Sequence, residues 1–504
     1  MSEKSIIVIG AGIAGLSAGC YGQMNGYKVR IFEQDTRPGG LCTSWERNGY
    51  TINGGLAFLG GSGPLTKIYQ IWEELGVVPA LRMIDYEYFG IVEGEGNKKF
   101  YLHTDLDRLE VHMKDLAPED KAAIEEFIRA IRIFTKCQLP FDKAQELYTP
   151  FDKIKLLFTH LSLFRAIGKW KKVSISEYVT RFKNPFLREA FLQIKALFSD
   201  DLPTAMILLF FAWSHMKSAG YPEGGALEFV RAIEKRFYDL GGNVNYRVRV
   251  EKILVENGQA VGILLEDGTE HRAGHVISAA DGRTTLLHML EGEFNSDEID
   301  VHYREFPLAS SVVLVALGIS RQFPEIPHLG IGLIYSLKSP VEIGGKIVTT
   351  LRPMIYNFDP SLAPEGNTLL RVVLSADYDY WKALQESGKY KEEKVRVAET
   401  VVALLEQRFP GISLDVEMVD VATPLTFERY TGNWKGSIIG WDLTTKTAFK
   451  PIPKTLPGLQ NFWMAGQWVE VGGGIPMVAL SGRNVIQLIA RSDKKPFTTM
   501  RIMA

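Results

Sequence analysis

The chain has 504 residues, of which 46% are hydrophobic, and a formal net charge of −2 at pH 7. A chain of this length can bury an extensive core and form two or more domains, and its near-neutral charge gives no indication of a nucleic-acid partner. Its three cysteines, Cys20, Cys42 and Cys137, are far apart and lack metal-site spacing, so they indicate a reducing compartment and no bound metal.

The first predicted elements form a βαβ unit. Residues 6–9 and 29–32 are apolar strands, and the helix between them begins in the Gly-Ala-Gly-Ile-Ala-Gly segment 10–15. In this pattern the first glycine makes a tight turn, the second lets the backbone approach a pyrophosphate, and the third lets helix and strand pack closely. The acidic residue that ends the second strand can accept a hydrogen bond from a ribose hydroxyl. The predicted dinucleotide contacts in this unit are Gly10, Gly12, Ala14, Gly15, Glu33 and Gln34.

A second glycine pair follows shortly afterwards, in the segment Arg37-Pro38-Gly39-Gly40-Leu41. Its backbone N–H groups can bring further donors to a pyrophosphate, which an NAD site does not need. Together with Glu33, this segment resembles the FAD-binding signature of the glutathione-reductase-like flavoproteins, in the branch that holds amine oxidases and phytoene desaturases. The resemblance favours FAD over NAD and adds Gly39, Gly40 and Leu41 to the predicted contacts.

The middle of the chain is predicted to return to the nucleotide-binding fold. A helical pattern follows the glycines at 224–225 and ends at 241–242. Strands over 248–255, 260–266 and 270–278 come next, separated by Asn-Gly and Asp-Gly hairpin signals. In flavoproteins of this type the strand that carries Val250 meets the adenine. An ordinary α/β segment without a ligand is the alternative for this block.

The last predicted elements are a strand that reaches Gly466, a glycine loop over 472–474, and a helix over 475–489 with a proline in its first turn. This helix offers a second N-terminus, whose positive dipole end would stabilise negative charge on a reduced flavin. The predicted contacts here are Gly466, Gly474, Ile475 and Met477. A glycine-rich loop before a helix that only packs is the alternative.

These motifs occur in the order seen in the phytoene-desaturase-related flavoproteins, which include carotenoid desaturases, prolycopene isomerases and retinol saturases. The chain resembles this group over nearly its full length, through the segments 10–40, 221–225, 422–440 and 465–476. It departs from the group at 52–55, where Ile52-Asn53 stands in place of the common Phe-Asp, so no role of that carboxylate carries over. Gly55, in the same segment, is counted among the predicted FAD contacts.

The resemblance implies an α/β fold, with a glutathione-reductase-like Rossmann FAD-binding domain and an inserted mixed α+β substrate domain. The expected FAD-binding segments are 1–75, 222–295 and 415–504, and the expected substrate-domain segments are 76–221 and 296–414. FAD is expected to be bound non-covalently, because no cysteine follows Cys137 to form a C-terminal cysteinyl bond of the monoamine oxidase kind.

A basic stretch lies within the substrate segments. Residues 151–195 include ten Lys or Arg and three Asp or Glu, and apolar residues recur at helical spacing from Ile154 to Ile167. A helix of this kind over 151–169 is typical of a membrane-surface element, whose apolar face enters the lipid boundary while its cations meet anionic headgroups. The alternative is a helix packed on the domain core with solvated lysines.

These features predict an FAD-dependent oxidoreductase that acts on carbon–carbon bonds of a long hydrophobic isoprenoid or polyene, by desaturation, saturation or cis-trans isomerisation. Two other functions stay open: a flavin amine or amino-acid oxidase that uses Arg352, Tyr356 and Trp441, and a non-catalytic prenyl-lipid-binding protein of similar fold. Glu470, four residues before Gly474, is the candidate catalytic acid or base. The electron partner (oxygen, a quinone or an external reductant) and the oligomeric state stay open as well.

The expected localisation follows from the apolar runs. Five residues precede the first strand, which leaves no room for the apolar core of a signal peptide, and the longest apolar run, 205–213, is too short to span a bilayer. We therefore expect a cytoplasmic protein, peripheral on the inner face of the membrane if the helix over 151–169 contacts lipid.

Overall fold

The computed structural model describes residues 4–136, 141–195, 199–294, 297–448, 450–472 and 474–501. Its strands are β1 (Ser5–Ile9), β2 (Lys28–Phe32), β3 (Ser44–Arg47), β4 (Tyr50–Asn53), β5 (Met83–Ile84), β6 (Tyr88–Glu93), β7 (Lys99–His103), β8 (Tyr221–Pro222), β9 (Asn243–Asn245), β10 (Val250–Glu256), β11 (Gln259–Leu265), β12 (Glu270–Arg272), β13 (His275–Ser278), β14 (Ser311–Ile319), β15 (Leu333–Ile343), β16 (Lys346–Leu351), β17 (Pro353–Ile355), β18 (Thr368–Ala376), β19 (Val416–Ala422) and β20 (Phe462–Met464). Its helices are α1 (Ile13–Met24), α2 (Tyr69–Glu74), α3 (Leu106–Leu116), α4 (Lys121–Thr135), α5 (Pro150–Thr159), α6 (Leu161–Trp170), α7 (Ile175–Tyr178), α8 (Pro185–Ile194), α9 (Thr204–His215), α10 (Gly225–Asp239), α11 (Gly282–Thr284), α12 (Asp297–Glu305), α13 (Tyr378–Glu386), α14 (Tyr390–Arg408), α15 (Pro424–Thr431) and α16 (Ile475–Ser492).

A parallel five-stranded sheet in the order β20-β13-β1-β2-β9 forms the nucleotide-binding half. Its strands come from the beginning, the middle and the end of the chain. Residues Ile6, Ile7 and Val8 of the central strand are fully buried. Ile6 and Val8 share a core with residues of α1 on one face of the sheet, and Ile7 shares a core with residues of β10 and β11 on the other face. The antiparallel meander β10-β11-β12 follows α10 and has the predicted hairpin at 257–258. The α/β Rossmann prediction is therefore confirmed.

Two further sheets and a group of helices make up the other half. One sheet has the order β17-β18-β14-β19 with antiparallel pairs, and the other has the order β16-β15-β6-β7 with one parallel pair. Strand β19 pairs with β14 over most of its length. The expected boundary at 415 therefore lies too early, because residues 416–422 complete the sheet of the inserted half before the chain returns to the nucleotide-binding half.

The basic amphipathic stretch forms two helices instead of the single helix predicted over 151–169. The chain leaves helical geometry at His160, where φ is −120° and ψ is 31°, so α5 ends and α6 begins there. Helix α6 buries Leu163, Ala166 and Trp170, whereas none of the ten residues of α5, all of which the structure describes, is buried. Within the described ranges, no helix combines the length and the apolar character that a membrane crossing requires.

Candidate functional site

A cavity of about 1090 Å³ lies at the carboxyl ends of the parallel strands, between the two halves of the molecule. Ile9 and Phe32 line it where β1 and β2 end, and Ala279 lines it just after β13. This is where ligands bind in open parallel sheets. Every residue predicted to contact the cofactor lines the cavity except Gly15 and Met477. Gly473, from the predicted C-terminal loop, and Cys137 lie outside the described residues.

The turn between β1 and α1 has the geometry that its glycines predict. Gly10 has φ +97°, and its N–H donates to the carbonyl of Phe32 at 2.8 Å. Gly15 lies outside the cavity because its position is one of packing: a Cβ there would stand 2.0 Å from the carbonyl oxygen of Gly10. The glycine therefore lets α1 approach the strand and brings the helix N-terminus to the cavity.

The cavity floor at the α1 N-terminus fits a pyrophosphate. Gly12 caps α1 without a side-chain hydrogen bond, so the N–H groups of the first turn remain available to an anion. A Cβ on Gly12 would meet only the carbonyl oxygen of Gly39, 4.0 Å away, and a Cβ on Gly40 would meet only the Cα of Gly12, 3.9 Å away. A Cβ at either glycine would therefore point into open cavity space. A pyrophosphate can fill this space.

Glu33 is placed for a ribose at one end of the cavity. Its carboxylate accepts hydrogen bonds from the N–H of Ala11 at 2.7 Å and from the N–H of Asp35 at 2.8 Å. A carboxylate offers about four acceptor positions, so about two remain for ribose hydroxyls. Burial raises the pKa of the Glu33 carboxyl, and the two backbone donors oppose that rise. Val250 lines the same end of the cavity.

The C-terminal helix presents its N-terminus to the other end of the cavity. Gly466 turns the chain after β20 with φ +104°, and its N–H donates to Ser481 Oγ on α16 at 2.7 Å. Gly474, Ile475 and Val478 line the cavity. Residues 475 and 478 share one face of a helix, and residue 477 points elsewhere, so the predicted contact at Met477 is replaced by Val478.

A thiol also lines the cavity. Cys42 is buried and free, and burial raises the pKa of its Sγ to about 12. The thiol is therefore protonated and a poor nucleophile, which agrees with a cofactor held without a covalent bond.

The inserted half supplies a wall that the sequence analysis missed. Val312 and Leu314 of β14, with Arg371 and Val373 of β18, line the cavity from the face of their sheet. Arg371 is 4% exposed. The sequence did contain a signal for Arg371 as a site residue. An arginine within the apolar run 369–373 does not fit an ordinary buried strand.

The candidate catalytic residue Glu470 does not line the cavity. Its Oε1 lies 3.2 Å from Lys454 Nζ, which also contacts Glu146 Oε1 at 3.1 Å. Burial raises the pKa of Glu470 and Lys454 opposes the rise. The carboxylate serves an ion-pair cluster that joins three distant segments, so the structure does not support its proposed role as acid or base.

We expect Glu470→Gln to lower stability and to leave the flavin chemistry unchanged. Lys454 keeps Glu146 but loses its buried partner, so we expect the free energy of unfolding to fall by about 1–3 kcal/mol. Urea unfolding and the rate of flavin reduction by dithionite or substrate would be compared with wild type. If the rate of flavin reduction falls tenfold or more while stability is unchanged, a catalytic role for Glu470 would be supported.

The residues proposed for an amine oxidase site are not brought together. The guanidinium of Arg352 donates to the carbonyls of Gln193 and Ile194, each at 2.8 Å, at the end of α8. Trp441 Nε1 donates to the carbonyl of Trp468. Neither of these side chains lines the cavity, and Tyr356 does not line it either. The three side chains therefore form no common site.

Comparisons with known proteins give a family and two similar enzymes. Residues 13–490 match the family model of flavin-containing amine oxidoreductases. The chain is 25% identical to a chloroplastic prolycopene isomerase of Daucus carota over 95% of this chain and 79% of that protein. It is 25% identical to a 4,4'-diaponeurosporene oxygenase of Staphylococcus aureus over 98% of this chain and 99% of that protein.

Solved structures share the fold. An oxidoreductase from Methanosarcina mazei has a TM-score of 0.61 at 18% identity, with 96% of this chain and 100% of that chain covered. Cyclohexylamine oxidase from Brevibacterium oxydans has a TM-score of 0.59 at 13% identity, with 98% of this chain and 100% of that chain covered. At such identities the similarity establishes the fold alone.

Proposed function

Because the chain belongs to the family of flavin-containing amine oxidoreductases, we propose that this FAD-dependent oxidoreductase acts on carbon–carbon bonds of a long hydrophobic polyene or isoprenoid. The reaction is a desaturation, a saturation or a cis-trans isomerisation. Similarity to two enzymes whose names refer to polyenes, over nearly the whole chain, supports this substrate class. The observation that carries the proposal is the apolar wall around the end of the cavity opposite Glu33.

The described part of this wall is mostly apolar, with Arg371 as its one charged residue. Val312, Leu314 and Val373 form one side, and Ile438 and Ile475 lie among the other lining residues. Apolar side chains of this kind bury a hydrocarbon chain with little desolvation cost. The wall therefore favours a polyene over an amine.

An apolar route towards this wall supports the same substrate. Helix α9 packs mainly on α4 and also touches α6, and its partly buried residues Leu209, Phe210 and Trp213 lie on one side of the helix. Phe58, which follows the cavity-lining Ala57, contacts Phe210 with ring centroids 5.6 Å apart. We propose that the substrate passes along this face of α9 to reach the cavity.

The chemistry divides between cofactor and protein. Bound FAD supplies the acceptance or donation of a hydride. The glycine turns and Glu33 hold the nucleotide, and the apolar wall orients the hydrocarbon and excludes water from the reacting carbons. The electron partner proposed for a net redox reaction is oxygen, a quinone or an external reductant.

We propose that α5 contacts the surface of a membrane from which the substrate enters. Its side chains Phe151, Ile154, Leu157 and Phe158 are between 46% and 75% exposed. A helix packed on the domain core, the other interpretation of this stretch, would bury such residues. The neighbouring lysines suit the anionic lipids of the cytoplasmic leaflet, so the proposed location is the inner face of the membrane.

The substrate proposal is tested by product analysis. FAD-loaded protein would be incubated with vesicles that carry a poly-cis or an all-trans acyclic polyene, under oxygen, with a quinone, or after chemical reduction of the flavin. Chromatography is expected to reveal a changed number or geometry of double bonds in at least one condition, and none with Gly12→Val protein. Peroxide release from a primary amine, with no change in any polyene, would overturn the proposal.

A further inference from the structure

Arg371 is a buried cation on a sheet face that is otherwise apolar around it. Its cross-strand neighbours are Ala316 on β14 and Met354 on β17. Leu369 and Val373, two residues away on its own strand, lie on the same face. Burying a charge among apolar groups is costly unless a partner compensates it.

The protein provides only partial compensation. The guanidinium donates through Nη1 to the carbonyl of Asn53, lies 3.2 Å through Nη2 from Met354 Sδ, and stands 5.5 Å from the ring centroid of Tyr356. Its buried Nε has no hydrogen-bond partner. In the part of the chain that the structure describes, Arg371 forms no salt bridge. These direct neighbours carry no formal charge, so none of them neutralises the guanidinium.

Five carboxylates line the same cavity, namely Glu33, Glu251, Glu266, Asp281 and Glu428, and among the described residues none of them forms a salt bridge with Arg371. Asp281 accepts from the N–H of Thr284 at 2.7 Å and from the N–H of Trp434 at 2.9 Å. Glu428 accepts from the hydroxyl of Tyr378 at 2.6 Å. Glu33 lies at the end of the cavity that we assign to the ribose. No carboxylate among the described residues pairs directly with Arg371, so a ligand that enters this cavity can supply the missing anion.

We propose that Arg371 is the counter-ion for the negative charge that the flavin gains on reduction, and that it thereby raises the reduction potential of bound FAD. The residue lines the cavity, and its hydrogen-bond acceptor Asn53 directly precedes the cavity-lining Gly54 and Gly55. A cation in a water-poor cavity stabilises a nearby anion strongly, and charge near the flavin ring is one way a protein tunes the cofactor. The proposal rests on the FAD cofactor and not on the identity of the substrate.

The test is the two-electron reduction potential of FAD-loaded protein, measured by dye equilibration without substrate. We expect Arg371→Met to lower the equilibrium ratio of reduced to oxidised flavin at least tenfold, about 30 mV for a two-electron couple. Arg371→Lys, which keeps the charge, is expected to stay within about threefold, about 15 mV. Arg352→Met, which removes a buried arginine outside the cavity, is expected to leave the potential unchanged.

Two outcomes would contradict the proposal. If FAD-loaded Arg371→Met has the wild-type reduction potential, the arginine does not tune the flavin. Its role would then be in packing or in contact with the substrate. Weaker FAD binding with an unchanged potential would assign its charge to the pyrophosphate. If Arg371→Met does not fold, Arg371→Gln removes the charge while keeping a donor for the Asn53 carbonyl, and the same shift is expected. The potential is measured without substrate, so an unchanged potential would not contradict the polyene proposal. Likewise, failure to convert a polyene would not contradict the role of Arg371.

Discussion

Gly12→Val is expected to give a folded protein that does not retain FAD. The backbone of Gly12 has φ −69° and ψ 175°, an extended conformation that valine adopts without strain. Its Cβ would meet no protein atom closer than the carbonyl oxygen of Gly39 at 4.0 Å. The added side chain therefore occupies the space proposed for the pyrophosphate, while the protein core is left as it was.

The expected loss of FAD affinity is at least a hundredfold, about 3 kcal/mol, because the pyrophosphate would have to leave the α1 N-terminus. The measurements are the flavin absorbance of the purified protein, titration of apo-protein with FAD, and circular dichroism for the fold. Gly168→Val is the matched control, since a Cβ at Gly168 on α6 meets nothing within 4 Å. Stoichiometric flavin in Gly12→Val would refute the assignment of the pyrophosphate site.

Replacing Phe151 and Phe158 together by serine is expected to abolish binding to anionic vesicles. These two side chains are 74% and 75% exposed on α5, so they contribute little to packing within the protein. Each phenylalanine is expected to contribute about 1.5–3 kcal/mol when it enters the lipid boundary. The double variant should therefore lose a hundredfold or more in affinity, with stability changed by less than about 0.5 kcal/mol.

Co-sedimentation with vesicles of phosphatidylglycerol and phosphatidylcholine at low and high salt would measure this effect. Binding of wild-type protein is expected to weaken at high salt, because Lys153 and Lys155 on α5 are exposed and their attraction to headgroups is screened. Leu414→Ser serves as the control, since Leu414 is 89% exposed but lies in the inserted half's turn at 412–414. Equal sedimentation of the double variant and wild type would exclude α5 as the contact.

The basic stretch at 151–169 shows what a local sequence pattern can and cannot predict. The apolar period over 154–167 predicted helix, and helices do form there, but the break at His160 and the exposure of α5 did not follow from the period. Periodicity tells which side chains share a face, and tertiary packing decides whether that face is covered. The same limit applies to Met477, which shares the predicted helix but not its cavity-facing side.

Neighbouring residues were enough to predict the local features of the nucleotide site. The turn at Gly10, the α1 N-terminus at Gly12, and Glu33 at the end of β2 lie within one βαβ unit, where turn chemistry and helix geometry act over a few residues. Contacts between residues far apart in the chain became visible in the folded molecule alone. Arg371 reaches the carbonyl of Asn53 across 318 positions, and Glu470 pairs with Lys454 away from the cavity. Such contacts depend on how sheets and loops pack together, which no local pattern encodes.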